Sequence, residues 1–275
     1  MILFSNKCYR DNKKWEYALI NYFFSSLWSG ICVLATGLLP LFVTAFIMQK
    51  FSELLREKLA DVLGINGYIY LTFPGVMIHE LSHAVFCVIF RHRILEMKLF
   101  SPEADGTLGY VSHSYNQKNL YQRIGNFFIG TGPVWGGCVM LAVISWLLLP
   151  ETMRNGNGFS ECLSSFAKGL FTWNFWGTWR SWLWIYLTIS IASHITLSSS
   201  DLDGATDGLL MIIITVLLGS LLLGWTGNWA EYIWRYEIKV LVKLFVAITG
   251  ALFSGIFIIL IINLANKKRR KNRYR

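Results

Sequence analysis

The chain has 275 residues, 54% hydrophobic and 15% charged, with a mean hydropathy of +0.46 and a net charge of +9. Soluble domains carry about 25% charged residues, so this composition excludes an ordinary soluble globular protein and points to a helical membrane protein. Seven of the 25 Lys and Arg fall in the last nine residues, KKRRKNRYR, beside an apolar segment, which suits an anchor on anionic lipid rather than a nucleic-acid partner.

The opening stretch, MILFSNKCYRDNKKWEY, has no continuous apolar core and no small-residue cleavage site, so no cleavable signal peptide is expected. A crossing helix needs about 20 apolar residues. On that rule, spans are expected near 20–48, 67–90, 126–149, 180–198, 208–227 and 240–265. Pro40 is a candidate kink in the first span. After it, FSELLREKLADVL gathers Phe51, Leu54, Leu55, Leu59, Val62 and Leu63 on one helical face. That pattern fits an amphipathic helix on the membrane surface or an extension of the first span. After the second span, RILEMKLFSPEADGTLGYVSHSY places β-forming runs on both sides of a turn and predicts a hairpin with strands near 94–100 and 107–113. In the third span Gly132 and Gly136 form GxxxG, a close-packing pattern. The aromatic run GLFTWNFWGTWRSWLWIY leads into the fourth span, and part of it could lie flat in the interface.

The fold class expected is an all-α polytopic membrane protein of about six transmembrane helices with a small β-hairpin after the second span. Residues 1–266 form one membrane domain and 267–275 a basic tail. With six spans, 16 of the 25 Lys and Arg lie on the side that holds both termini, which places the termini in the cytoplasm. The five cysteines form no CxxC pair and read as small apolar residues.

The second span carries MIHELSHA, in which His79, Glu80 and His83 interrupt an otherwise apolar run. His79-Glu80-Leu81-Ser82-His83 is HExxH. Residues four apart share a helix face, so both imidazoles can bind one metal ion while Glu80 reaches a water as general base. Zinc suits such nitrogen and oxygen donors. From the five His and ten Glu of this chain, chance gives about 0.003 occurrences of the motif. Ionisable groups inside a span are costly and mark function or a buried pair. A catalytic zinc needs a third protein ligand. The candidates lie in HITLSSSDLDGATDGLL: His194, Asp201, Asp203 and Asp207. Ser and Asp also cap helices, which is the competing use of that loop. His92, between two arginines, reads as an interfacial residue, and His194 as a structural one.

HELSH in a membrane span, followed by Leu202-Asp203-Gly204 at the start of a later one, resembles the site-2 protease group of intramembrane zinc metalloproteases, peptidase family M50. The resemblance runs from about Phe73 to Leu210 and lacks a PDZ-like insertion. It implies two ligands from HExxH and a third from a downstream Asp. Matching LDG makes that Asp203. A divergent branch carries S-x-x-D-[LI]-x-G-A-x-x-G-L, matched by Ser198, Asp201, Gly204, Ala205, Gly208 and Leu209, and makes it Asp201. The resemblance also implies a β-structured segment that holds an unwound substrate, here residues 108–113 with Tyr110 and His113, and a Gly-Pro pair (Gly132-Pro133) packed near the site. Asn126 could orient a substrate backbone.

The resulting expectation is a multi-pass intramembrane zinc endopeptidase of a bacterial inner membrane, acting on membrane-anchored protein substrates. His79, His83 and Asp201 (or Asp203) would hold Zn2+, and Glu80 would activate water. Its partners are the substrate and the lipid bilayer, and no nucleic acid. His79 lies about 11 residues, or roughly 16 Å, inside the cytoplasmic end of its span. The rivals are a membrane protein with a structural or sensory metal and a transporter that relays protons or ions through the same side chains.

Overall fold

The structure, a computed structural model, describes residues 2–154 and 159–223. The described residues are predominantly helical, with one two-stranded antiparallel sheet. They run α1 (Ile2–Leu71), α2 (Phe73–Ile89), β1 (Arg93–Lys98), β2 (Tyr110–Ser114), α3 (Leu120–Gly130), α4 (Gly132–Leu148), α5 (Glu151–Arg154), α6 (Phe159–Leu170), α7 (Trp173–Trp176), α8 (Trp179–Ala192) and α9 (Ser199–Leu223). The sixth expected span, near 240–265, the end of the fifth and the basic tail lie outside the described residues.

The contacts divide the described chain into two units, 2–42 with 210–223, and 43–154 with 159–209. In the first unit, Tyr22 donates its hydroxyl hydrogen to the Leu221 carbonyl at 2.5 Å. Gly30 lies against Ser220, where a Cβ would collide with the hydroxyl. The second unit holds every residue considered for chemistry.

By length and composition, Trp15–Leu71 and Ser199–Leu222 can cross a membrane. The pair α3–α4 adds a third crossing if it counts as one span bent by 60°. The described residues therefore carry two to three candidate spans, and these apolar helices are compatible with a membrane protein. The expected second and fourth spans are the 17-residue α2 and the 14-residue α8, both short of a crossing length of about 20. The chain breaks at Thr72, just before Pro74 in the first turn of α2. A proline at that position has no N–H to place in a preceding helical turn. The expected third span breaks at Thr131 for the same reason, with Pro133 in the first turn of α4. In α1 the departure from helical dihedrals is at Gly64, with φ 73°, not at Pro40. FSELLREKLADVL is thus part of α1, and it packs Phe51, Leu55 and Leu59 inward.

Helix α2 is the centre of the second unit and packs on α3, α4, α8 and both strands. Glycine makes these approaches possible. Gly75 of α2 lies against the Ser190 carbonyl of α8, and Gly136 of α4 against Ser82 of α2. The Thr72 break is mended by Ser190, whose hydroxyl donates to the Thr72 carbonyl at 3.0 Å and accepts from the Gly75 N–H at 2.9 Å. Leu141, Trp184, Ile191, Ala192 and Ile195 fill the layer between α4 and α8.

The hairpin pairs Ile94 with His113, Met97 with Val111 and Lys98 with Tyr110, with a bulge between Ile94 and Glu96. The strands are shorter than expected, and the second begins three residues later than 107. A wider loop causes this: Ser101 N–H bonds the Leu108 carbonyl, Glu103 N–H bonds the Thr107 carbonyl, and Gly106 turns at φ 94°. The stretch from 150 to 178, between α4 and α8, holds the short helices α5 to α7.

Helices α3 and α9 meet through small residues. Gly130 lies against Asp201 and Ala205, and Gly208 against the Phe127 backbone. Gly208→Ala is expected to destabilise the protein by about 1–3 kcal/mol, the usual cost of overpacking. Gly204→Ala, where a Cβ meets nothing within 4 Å, is expected to be neutral or stabilising. Thermal unfolding of both variants in detergent checks this, and equal midpoints would refute the close α3–α9 contact.

Candidate metal centre

His79 and His83 stand one turn apart on α2, with their Nε2 atoms 3.3 Å apart. The first turn of α9 brings Asp201 to them. Its Oδ1 is 3.3 Å from His83 Nε2 and its Oδ2 is 3.9 Å from His79 Nε2. One ligand atom from each of the three residues lies within 4.8 Å of the others, the only such group among the described residues. Asp203 lines the same cavity but stays outside the group. Two residues along a helix is a rotation of about 200°, so Asp201 and Asp203 cannot both face His83. Asp207 is taken elsewhere, by a two-pronged bond from Arg123 of α3, whose Nε lies 3.1 Å from Oδ2. The buried Asn126 side chain lies against the same carboxylate.

The protons of the donor set follow from its hydrogen-bond partners. His79 Nδ1 is 2.9 Å from the His194 carbonyl, and His83 Nδ1 is 2.7 Å from the Ile129 carbonyl. A carbonyl only accepts, so each Nδ1 carries the hydrogen. With both rings unprotonated, as metal ligands must be, both Nε2 atoms present lone pairs to each other and to a carboxylate. Three acceptors facing one another with no hydrogen between them repel, and a cation between them removes the conflict. Tetrahedral zinc with nitrogen ligands at 2.0–2.1 Å separates its donors by about 3.3 Å. The residues could therefore hold a metal ion with ligand distances of this size, and the two carbonyls orient the imidazoles from behind.

Each carbonyl sits at a helix end. Ile129 is in the last turn of α3, and His194 is just past α8. Helix ends leave carbonyls without helical partners, free to accept from a side chain. The His194 ring is held in turn. Its Nε2 is 2.9 Å from the Thr72 hydroxyl, which itself donates to the Tyr68 carbonyl, and it stacks on Tyr68 at 5.8 Å. His194 thus serves through its backbone oxygen, as a support of His79.

Asp201 has a second job. Its Oδ2 accepts from the Ser198 N–H at 2.8 Å, and the Ser198 hydroxyl accepts from the Asp201 N–H at 3.1 Å. This reciprocal pair is a capping box that starts α9. The capping use of the SSSD loop and the ligand use are therefore compatible, because the cap aims the carboxylate.

The cavity over these groups has a volume of about 950 Å³. Glu80, 7% exposed, lies on it, and Gly109 of the hairpin sits so close that a Cβ would meet the Glu80 Cγ at 2.8 Å. Tyr110, His113 and Asn126 all line it. The hairpin loop residues Asp105 to Gly109 and the polar face of α1, with Gln49, Ser52, Glu53 and Arg56, complete the wall. The α1 residues were missed from sequence. Their alternation with Phe51, Leu55 and Leu59 was visible, but the polar side reads as facing water. The buried Ser52 instead donates to the Ser193 carbonyl and ties α1 to the corner after α8. His92 was misread as interfacial. It is 6% exposed and bonded to His113 and to the Gln122 carbonyl. Burial, with the neighbouring His92 and His83, holds the His113 pKa down at about 4.

Asp201→Asn is expected to lower zinc affinity by more than the 10- to 100-fold typical of losing an outer-shell support, whereas Asp203→Asn is expected to keep it. Metal content of the purified variants after dialysis against graded zinc buffers checks the pair. Equal loss in both would refute the assignment of Asp201. Comparison with known proteins finds no matching family model, no matching curated protein and no matching solved structure.

Proposed function

We propose that the chain is an intramembrane zinc endopeptidase that hydrolyses peptide bonds of membrane-anchored proteins. The observation that carries this reading is the convergence of His79 Nε2, His83 Nε2 and Asp201, each oriented from behind, beside Glu80 in one cavity walled by a β-strand. His79, His83 and Asp201 would hold zinc, which when bound supplies Lewis-acid chemistry, polarising a peptide carbonyl and acidifying water. Glu80 takes a proton from the attacking water as its oxygen bonds the carbonyl carbon. The same carboxyl then delivers that proton to the leaving amine nitrogen as the C–N bond breaks.

The substrate enters as an extended strand. A helix hides its carbonyls in its own hydrogen bonds, so a membrane helix must unwind before hydrolysis. Strand β2 pairs with β1 along one edge. Among the described residues no strand pairs with its other edge, the edge that would take an extended peptide by β-augmentation. Residues 108–111 and His113 line the cavity. His113, Tyr110 and Asn126 are the side chains proposed to touch the substrate. Water reaches the site through this polar cavity, since lipid would exclude it. The same proposal includes the finer topology of six spans with both termini cytoplasmic, supported by the skew of Lys and Arg and by the apolar run near 240–265.

Glu80→Gln keeps the shape of the side chain and removes the base. It is expected to retain zinc and to lose cleavage of a membrane-anchored reporter by about 10²- to 10⁴-fold. Zinc content and reporter cleavage are measured on the same reconstituted samples. Cleavage at the wild-type rate by the variant refutes the mechanism. A wild type that holds no metal refutes the zinc reading and favours an ion relay through His79, Glu80 and His83.

A further inference from the structure

The turn after α2 brings together two histidines that the hydrolytic scheme does not use jointly. His92 follows α2 directly, and its ring is buried between β2 and α3. Tyr115 stacks on it at 5.0 Å with the planes 17° apart. Its Nε2 lies 2.8 Å from the Gln122 carbonyl oxygen, and its Nδ1 lies 3.1 Å from Nδ1 of His113. Gln122 is itself fixed, donating from its amide to the Arg91 carbonyl at 2.7 Å and accepting from the Asn116 N–H at 2.7 Å.

The protons follow from the partners. The Gln122 carbonyl can only accept, so His92 Nε2 carries the hydrogen. Burial disfavours a charge on His92, so its Nδ1 is a lone pair. The hydrogen in the bond between the rings must then belong to His113 Nδ1. That leaves His113 Nε2 as a lone pair, with no hydrogen-bond partner among the described residues. Strand alternation puts His113 on the same face of β2 as Val111, and both line the cavity that Glu80 lines.

We infer that His92 is a positioning residue that locks His113 in the Nδ1–H tautomer, so that His113 Nε2 meets an extended peptide as an acceptor for a backbone N–H. An unprotonated Nε2 has no hydrogen to offer a developing oxyanion, so this geometry assigns His113 to binding and not to stabilisation of the transition state. The identity of the N–H donor as a peptide rests on the endopeptidase reading. The tautomer assignment does not, because it follows from the chain's own contacts.

The test uses the full-length chain, labelled with 15N-histidine, in detergent. Two-bond nitrogen–proton correlations separate the tautomers. Wild type is expected to show His113 with its hydrogen on Nδ1. His92→Phe keeps the stack on Tyr115 and removes the acceptor, and is expected to give mixed tautomers at His113. In the cleavage assay it should raise KM about tenfold, the effect of losing one hydrogen bond, with kcat and zinc content near wild type. His92→Asn returns an acceptor oxygen and should restore both the single tautomer and the KM. A wild-type His113 with its hydrogen on Nε2 overturns the inference, whether or not the protein cleaves anything. So does an unchanged tautomer and KM in His92→Phe. A loss of kcat and zinc in parallel in His92→Phe, unrestored by His92→Asn, also overturns it, since it assigns His92 to the fold alone.

Discussion

Three acceptor atoms face one another across a few ångströms inside an apolar helix bundle, and the rest of the second unit can be understood from that conflict. Polar groups away from water must find partners, and an unpaired one costs more than its bond returns. Here the imidazole N–H groups are given carbonyls and the carboxylate is given a backbone N–H, while the remaining lone pairs are left converging. Such an arrangement is unfavourable by itself and favourable around a cation. The surrounding packing must hold it in the meantime, which Gly75, Gly130, Gly136 and Gly208 do by letting the helices approach to backbone contact.

The supports share an origin in interrupted helices. The chain breaks at Thr72 and Thr131, α8 stops at Ala192, and α9 starts at Ser199. Every break exposes backbone groups that a continuous span would have consumed internally. The His194 carbonyl, the Ile129 carbonyl and the Ser198 N–H come from these places, and each is bonded to a member of the histidine–aspartate group. A run of long uninterrupted helices would bury the same side chains and offer them no backbone to bond. Short helices α2 and α8 are therefore part of how the centre is built.

How much of this was legible follows from the range of each signal. HExxH was legible because both histidines sit on one turn of one helix, and the acidic loop because three carboxylates crowd one helix start. The hairpin was legible from its turn, although the loop widened and moved the second strand later. The choice between Asp201 and Asp203 depends on which way α9 is rotated, a matter decided by its packing on α3 through Gly208 and Gly130. The pair Arg123–Asp207 joins residues 84 apart and leaves no trace in local periodicity. The same holds for Ser52 against the corner 141 residues later, and for His92, whose neighbouring arginines suggested water while its ring turned inward. The breaks at Thr72 and Thr131 were written in Pro74 and Pro133, but hydropathy averages across a proline and merges what the backbone separates.

The cap on α9 has a stereochemical consequence. One oxygen of Asp201 is committed to the Ser198 N–H, and the other is the one nearer His83. The cap thereby holds the carboxylate with Oδ1 toward His83, and a rotation away from the imidazoles would uncap its own helix. A three-point donor set of this kind leaves a fourth corner of a tetrahedron unfilled by protein. The aim of the third donor is thus set by the way a helix begins.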